Sequence, residues 1–162
     1  MAETAVSFPE EHRPEVSSFL ARNELQVAAR PENVWEWLLR PDLWSSFYSN
    51  VRLVRHLEGP WPRIGLGSRW RWLTFGALIT SELVEAEPHS RLAWSASGLG
   101  ASGHHGWVLE ARDGGTQVIT EETQRGWGIA LVKPALRPLM VRLHQRWLEG
   151  LARVAVKPPP AP

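Results

Sequence analysis

The stretch LRPLMVRLHQRWLEGLARV, residues 136–154, decides the fold of this 162-residue chain. Its large apolar side chains recur every three or four residues, the spacing of one face of an α-helix. The members of this apolar face are Leu136, Leu139, Met140, Leu143, Trp147, Leu151 and Val154. Pro134 and Pro138 interrupt the start of the pattern, so we expect them to bend or delay the first helical turns. A helix with one apolar face needs another element to cover that face.

Segments with β-strand character occupy most of the chain before this helix, and Gly, Pro, Asp and Asn separate them. The predicted strands are residues 19–28, 51–58, 68–74, 77–87, 91–97, 104–111 and 116–125. Two short helices, residues 30–39 and 41–47, are predicted after the first strand. Short connections between consecutive strands favour antiparallel pairing. We therefore predict an α+β fold in which an antiparallel sheet of six to seven strands packs against the C-terminal helix.

The composition excludes several classes of function. The net charge of +1 gives no bulk attraction to nucleic acid or to anionic membranes. Cysteine is absent, which excludes disulfides, thiolate metal sites and cysteine nucleophiles. No apolar stretch approaches the ~20 residues of a membrane span, and the first residues lack the pattern of a signal peptide. We therefore expect a cytoplasmic protein that neither binds nucleic acid nor inserts into a membrane.

The two ends differ in composition from the body of the chain. Residues 1–17 are polar and contain two prolines, so we expect a flexible N-terminal arm. Residues 157–162, KPPPAP, can neither extend a helix nor join a sheet, and they are expected to form a disordered tail. We found no internal repeat or linker, so residues 18–156 are predicted to form a single domain.

Several short motifs point to a known superfamily. ARPENVWEWL at residues 29–38 is followed by DLW at 42–44 and GLG at 65–67. EAEPHSRLAW at 85–94 and GTQV at 115–118 precede the C-terminal helix. Together these segments resemble the START-like (SRPBCC) superfamily, in its polyketide cyclase/dehydrase branch, over about residues 20–155. The resemblance implies the helix-grip fold, a curved antiparallel sheet wrapped around a long C-terminal helix with a ligand cavity between them.

The resemblance is more specific for fold than for function. Members of the superfamily include cyclases, lipid carriers, ubiquinone-binding proteins, hormone receptors and chaperone activators. They share no common set of catalytic residues that could be transferred to this chain. The function therefore has to be argued from the side chains that line the expected cavity.

Strand alternation predicts which side chains face the C-terminal helix. Most of them are aromatic or aliphatic, with a few polar groups among them. The expected ligand-binding residues are Trp70, Trp72, Ser81, Trp94, Trp107 and Thr120, together with Met140 and His144 from the helix. An apolar cavity with a few polar groups is typical of a small-molecule site. The alternative is that the tryptophans fill a solid core and that His144 lies at its boundary.

The hairpin around residue 114 predicts a candidate acid/base pair. If Asp113-Gly114 forms the turn, His105 lies opposite Glu122 in the neighbouring strand. A turn at Gly114-Gly115 would instead place His105 opposite Gln124. A carboxylate beside an imidazole can act as a general base, so His105 and Glu122 are the candidate catalytic residues. The alternative interpretations are a buried structural pair and a pair exposed to water at the mouth of the cavity.

Two further patterns do not meet the requirements of the sites that they resemble, a dinucleotide-binding motif and a zinc site. GLGASG at residues 98–103 matches the dinucleotide-binding pattern G-x-G-x-x-G, but a strand follows it where that motif requires a helix. We interpret it as a loop, whose glycines would also permit movement as a lid. His105 and Glu122 offer two metal ligands, one fewer than a catalytic zinc site needs. We therefore expect no metal and no cofactor.

Three functions are consistent with these features. The first is an enzyme, a lyase or isomerase that cyclises or dehydrates an aromatic or polyketide-like molecule by general acid/base chemistry. The second is a carrier or sensor that binds a hydrophobic ligand, such as a lipid, without chemistry. The third is a chaperone-activator-like interaction module, which would need an exposed apolar patch near Trp44, Phe47 and Tyr48. The residue pattern does not separate the first two, and it does not indicate an oligomeric state.

Overall fold

The computed structural model describes residues 5–161 and confirms the predicted fold class. The strands are β1 (Phe19–Val27), β2 (Arg52–Glu58), β3 (Arg69–Thr74), β4 (Ala77–Glu87), β5 (Arg91–Gly98), β6 (Ala101–Arg112) and β7 (Gly115–Arg125). The helices are α1 (Pro31–Leu38) and α2 (Trp127–Val154), and a 3-10 helix (Pro41–Ser46) follows α1. All neighbouring strands pair antiparallel in the order β1-β7-β6-β5-β4-β3-β2.

The β6–β7 hairpin adopts the register that Asp113-Gly114 predicts. Arg112 pairs with Gly115, and His105 pairs with Glu122. The alternative register, with His105 opposite Gln124, is wrong. Gly115 has φ 154°, and a Cβ there would lie 2.0 Å from the carbonyl oxygen of Val27. Only glycine therefore lets β1 end this close to the turn.

Helix α2 begins nine residues earlier than the sequence pattern suggested, at Trp127 rather than Leu136. Pro134 and Pro138 lie inside it and do not delay its start. A proline removes the hydrogen bond to the carbonyl four residues before it, here those of Ala130 and Pro134. Both of these residues are exposed, so solvent can replace the missing donors.

The buried face of α2 is rotated relative to the predicted apolar stripe. Its buried residues are Ile129, Met140, His144, Trp147, Leu148, Gly150 and Leu151. Leu143, which we expected in the packing seam, is only half-buried. Leu148 and His144 occupy that seam instead, because they follow the helical spacing set by Trp147 and Leu151. Within residues 5–161, no helix is long and apolar enough to cross a membrane.

Five indole rings form the centre of the core. Trp44 is fully buried, and its ring centroid lies 5.2 Å from those of Trp94 and Trp147. Trp70 and Trp72 pack against it from β3, with ring centroids 5.9 Å and 5.4 Å away. These edge-to-face and tilted arrangements suit the charge distribution of aromatic rings. The cluster joins α2 to the middle of the sheet.

The exposed apolar patch that an interaction module would need is not found where we expected it. Trp44, Phe47 and Tyr48 are 0%, 8% and 2% exposed. Their rings belong to the core, because the 3-10 helix turns them toward Trp37 and α2. The expected patch at these residues is therefore wrong, and it does not support the chaperone-activator alternative.

The N-terminal arm, expected to be flexible, lies along the sheet face opposite α2 in its described part. Residues 1–4 lie outside the described residues. Val6 is buried against Val108 and Ile119, and its backbone N–H donates to Oε2 of Glu121 at 2.9 Å. Phe8 packs edge-on against His104, with ring centroids 5.6 Å apart. These contacts cover the central strands β6 and β7 from outside.

The proline-rich tail, expected to be disordered, also contacts the domain, although Pro162 lies outside the described residues. Nε1 of Trp37 donates to the carbonyl of Lys157 at 2.7 Å. The guanidinium of Arg40 donates to the carbonyl of Pro160 at 2.8 Å and also pairs with Asp42. The division into arm, domain and tail remains a proposal. In the described residues, both the arm and the tail contact the domain.

The packing of α2 predicts different losses of stability when Leu148 and Leu143 are each replaced by alanine. Leu148→Ala should lower the free energy of unfolding by about 2–5 kcal/mol, because it leaves a cavity in the fully buried seam. Leu143→Ala, the matched control on the half-buried edge, should cost less than half as much. Urea unfolding of both variants measures the difference. Equal losses would contradict the orientation of α2 described here.

Candidate functional site

A cavity of about 280 Å³ lies between the sheet and the N-terminal half of α2. Strands β3 to β7 supply one wall, and α2 supplies the other. Its lining residues from the sheet side include Trp72, Phe75, Ile79, Trp94, Ala96, Leu99, His105, Glu122 and Gln124. Those from α2 are Gly128, Ile129, Val132, Leu136, Met140, His144 and Trp147. The walls are mainly apolar, with the titratable groups gathered on one side.

Six of the predicted site residues line this cavity. They are Trp72, Trp94, His105, Glu122, Met140 and His144. The other four, Trp70, Ser81, Trp107 and Thr120, face the predicted side of the sheet but do not reach the cavity. Other core side chains pack against them, such as Trp44 against Trp70 and Trp147 against Trp107, which strand alternation alone does not reveal.

These four residues contact side chains that line the cavity. Trp70 packs edge-to-face against Trp94, with ring centroids 5.9 Å apart. Ser81 accepts a hydrogen bond from Nε1 of Trp72 at 3.1 Å, which fixes the orientation of that indole. Trp107 stacks on the ring of His105 with centroids 5.1 Å apart. Thr120 is hydrogen-bonded to His105. These residues therefore fix the positions of the lining side chains, but they would not contact a ligand themselves.

The N-terminal half of α2 is the largest part of the cavity that sequence analysis missed. Ile129, Val132 and Leu136 continue the spacing of Met140 and His144 toward the helix start. The two prolines hid this continuity, because we expected them to bend or delay the first turns of a helix beginning at Leu136. The signal was present in the sequence as apolar residues at intervals of three and four.

The glycine-rich stretch at residues 98–103 is a tight hairpin rather than a long loop. Gly98 ends β5, Ala101 begins β6, and Leu99 and Gly100 form the turn with φ values of 52° and 72°. No helix follows it, so the rejection of a dinucleotide motif is consistent with the structure. Leu99 is 78% exposed at the mouth of the cavity. Movement of this hairpin as a lid remains a prediction.

A cluster of three buried titratable side chains, His105, Glu122 and His144, forms the polar side of the cavity. Nδ1 of His105 lies 3.1 Å from Oε2 of Glu122, its partner across the hairpin. Nε2 of His144, which comes from α2, lies 3.0 Å from the same oxygen. The imidazole rings of the two histidines have centroids 4.7 Å apart. We call this group the His–Glu–His cluster.

Neighbouring polar groups orient the cluster. The Thr120 hydroxyl lies 2.6 Å from Nε2 of His105 and 3.2 Å from the carbonyl oxygen of Gly106. The Gln124 amide donates to Oε1 of Glu122. Both nitrogens of His105 and both oxygens of Glu122 are therefore in contact with polar partners. His144 differs, because neither ring nitrogen forms a hydrogen bond among residues 5–161, although Nε2 lies 3.0 Å from Oε2 of Glu122.

Burial and charge set the protonation of the cluster. Burial lowers the pKa of His105 to about 3, although the Glu122 carboxylate opposes this shift. Burial alone would raise the pKa of Glu122, but His105, His144 and the Gln124 amide outweigh it and hold that pKa below its usual value. At neutral pH the cluster therefore contains a neutral His105 beside an ionised Glu122.

The three side chains also bring together atoms that can bind a metal. One ligand atom from each of His105, Glu122 and His144 lies within 4.8 Å of the other two. The sequence argument counted only His105 and Glu122, because the position of His144 on α2 relative to the hairpin could not be derived from strand pairing. His104 points to the opposite face of the sheet, under the arm, as its neighbours Phe8 and His12 show.

This arrangement can perform two kinds of chemistry. A ligand held against the apolar walls would have its polar atoms next to a carboxylate and an imidazole, which can exchange protons or donate hydrogen bonds. The same atoms can coordinate a cation. Proton exchange and cation binding both depend on the cavity, because a ligand or an ion reaches the cluster through it.

Comparison with known proteins agrees with the fold. The family model for polyketide cyclase/dehydrase and lipid transport proteins matches residues 19–156. Among curated proteins, none matches this sequence. The structure of hypothetical protein jhp0584 from Helicobacter pylori has a TM-score of 0.85 at 24% identity, covering 96% of this chain and 98% of that one.

Two further structures come from biosynthetic pathways. The di-domain ARO/CYC protein BexL, of the BE-7585A pathway, has a TM-score of 0.68 at 19% identity, covering 87% of this chain and 51% of that one. DynU16, of the dynemicin biosynthetic locus, has a TM-score of 0.61 at 20% identity, covering 83% of this chain and 46% of that one. At these identities the similarity shows a shared fold. With the family match, it confirms the resemblance to the START-like superfamily, and the chain belongs to the polyketide cyclase/dehydrase and lipid transport family.

Proposed function

We propose that this protein binds a hydrophobic small molecule in the cavity between the sheet and α2. The observation that carries the proposal is an apolar cavity with one polar cluster in its wall. Indole rings of Trp72, Trp94 and Trp147 line it, and such rings offer flat apolar surfaces to aromatic ligands. The polar cluster would orient a ligand through its oxygen or nitrogen atoms.

The volume of the cavity favours a compact ligand. Ligand pockets commonly measure ~300–1,000 Å³, and this cavity, at about 280 Å³, is slightly smaller than that range. A molecule of a few fused or linked rings suits this space better than an extended acyl chain. The family includes polyketide cyclases and dehydrases, and BexL is an ARO/CYC protein, which agrees with an aromatic or polyketide-like ligand.

We further propose that the cluster catalyses proton transfer in a cyclisation or dehydration of that ligand. The sequence-based assignment gave this role to His105 and Glu122. Both nitrogens of His105 contact other protein groups, so we assign His105 as a positioning residue. His144 lines the cavity and has a ring nitrogen, Nδ1, without a hydrogen-bond partner in the described chain. His144, whose Nε2 lies 3.0 Å from Oε2 of Glu122, is therefore the proposed proton donor or acceptor.

A carrier or sensor without catalysis is the second candidate function. It is favoured by the mainly apolar lining of the cavity, which can hold a hydrophobic molecule without any chemical step. In this case the cluster would bind the polar end of the ligand through hydrogen bonds only. Conversion of a bound ligand in single-turnover experiments would distinguish catalysis from simple binding.

Filling the cavity should weaken ligand binding. Phenylnaphthylamine, a neutral aromatic dye, should fluoresce on binding to the wild type and quench the tryptophans that line the cavity. Ala96 lies on the cavity wall, so Ala96→Phe should place a ring in that space and weaken dye affinity roughly tenfold or more, a loss of at least about 1.4 kcal/mol. Fluorescence titration measures both effects.

Ser95→Phe is the matched control for this variant. It introduces the same ring on the same strand, but Ser95 points to the opposite face and does not line the cavity. Dye affinity should remain at the wild-type value. Unchanged affinity in Ala96→Phe would contradict the proposal, since the dye would then bind elsewhere.

Removing the carboxylate of the cluster should destabilise the protein. Glu122→Ala removes the carboxylate that lies 3.1 Å from Nδ1 of His105 and 3.0 Å from Nε2 of His144 and that accepts from Gln124, so these buried polar groups lose a partner and the free energy of unfolding should fall by about 1–3 kcal/mol. Glu110→Ala removes a glutamate whose partner, Arg112, is exposed, and it should cost less than about 1 kcal/mol. Urea unfolding compares the two. A Glu122→Ala variant as stable as wild type would show that the histidines do not depend on this carboxylate.

A further inference from the structure

We propose that the His–Glu–His cluster is a binding site for one divalent first-row transition-metal ion, with its open side toward the cavity. The ligand atoms are Nδ1 of His105, Oε2 of Glu122 and Nε2 of His144. This inference concerns the same site as the proposed function, and it rests on that function only for the access that the cavity gives to the ion.

The distances between the ligand atoms suit a single ion. Two atoms that each lie ~2.1 Å from a metal, at tetrahedral or octahedral angles, are about 3.0–3.4 Å from each other. Oε2 of Glu122 lies 3.1 Å from Nδ1 of His105 and 3.0 Å from Nε2 of His144. All three atoms lie within 4.8 Å of one another, so a shift of up to about 1.4 Å would bring Nδ1 of His105 and Nε2 of His144 to the same spacing.

Hydrogen bonds around the cluster can prepare His105 for coordination. The Thr120 hydroxyl lies within hydrogen-bond distance of both Nε2 of His105 and the carbonyl oxygen of Gly106. If Thr120 donates its single proton to Gly106, it must accept from Nε2–H, which leaves a lone pair on Nδ1 facing the carboxylate. Two acceptors that face each other repel unless a cation lies between them. Metal-binding histidines commonly use their second N–H in this way.

The carboxylate and the second histidine fit the same interpretation. Gln124 donates to Oε1 of Glu122, which orients the carboxylate and leaves Oε2 toward both imidazoles. His144 is 1% exposed, and its nitrogens have no hydrogen-bond partner in residues 5–161 although Nε2 is close to Oε2. A buried ring nitrogen without a partner is costly, and coordination would satisfy Nε2.

The types of ligand atom indicate the class of metal. Two imidazoles and one carboxylate suit Zn²⁺, Fe²⁺ or Co²⁺, whereas Mg²⁺ and Ca²⁺ prefer oxygen ligands throughout. Three protein ligands leave at least one coordination position, which is characteristic of sites that act on a ligand rather than only stabilise a fold. Because the cluster lines the cavity, that position is accessible to a carbonyl or hydroxyl oxygen of a bound molecule.

Titration with Co²⁺ tests the site directly, because coordinated Co²⁺ absorbs visible light in a pattern that reports its ligands. The metal-stripped wild type should bind one equivalent, and Zn²⁺ should displace it. His144→Gln and Glu122→Gln, which keep similar volumes, should lose this spectrum. His56→Ala, which removes an exposed histidine on β2, is the control and should keep it. The proposal would be overturned if the wild type showed no visible absorption from coordinated Co²⁺, or if wild type and His144→Gln gave equal spectra.

Two more variants separate the metal site from protein stability and from ligand binding. Thr120→Val keeps the shape of the side chain but removes the hydroxyl, and it should weaken Co²⁺ affinity about 10–100-fold. Unchanged Co²⁺ affinity in Thr120→Val would contradict coordination through Nδ1 of His105. Ala96→Phe should weaken phenylnaphthylamine binding roughly tenfold or more, whereas Co²⁺, a single ion, should still pass the added ring and bind the cluster. Wild-type protein that binds Co²⁺ but not the dye would overturn the proposed function and leave the metal site intact.

Discussion

The packing of Trp147 against the indole cluster determines where α2 can lie above the sheet. Trp147 stacks on Tyr48 with ring centroids 4.6 Å apart and lies 5.2 Å from Trp44. Large rings therefore hold the C-terminal half of the helix at a fixed distance from the strands. The N-terminal half faces the sheet with smaller side chains, such as Ile129 and Val132, which do not fill the same gap. The cavity is the space that results from this uneven side-chain size along one helix.

The polar cluster lies where stability alone would favour apolar side chains. Moving ionisable groups out of water costs free energy that mutual contacts recover only in part. His105 and Glu122 have polar partners on each side, but His144 has no hydrogen bond within the described chain. Incomplete pairing of a buried group that lines a cavity is typical of a site whose remaining partner is a ligand or an ion. This is the physical reason for assigning the function to this region.

The sheet could be predicted well because its determinants are local. The Asp113-Gly114 turn established which residues face each other across β6 and β7, and so brought His105 to Glu122. Alternation identified the side of the sheet on which Trp70 and Trp107 lie, but not the neighbours that cover them. Helix α2 was harder, because the prolines concealed its first turns. The inclusion of His144 in the cluster depends on how the helix is rotated over the sheet, a property that no local pattern encodes.

Determining the structure of the protein after incubation with a mixture of hydrophobic small molecules tests the central claim most directly. The account predicts a compact molecule between Trp72, Trp94 and α2, with a polar atom within hydrogen-bond or coordination distance of Glu122 or His144. A structure in which side chains close the space between the sheet and the N-terminal half of α2, with no molecule bound there, would contradict it.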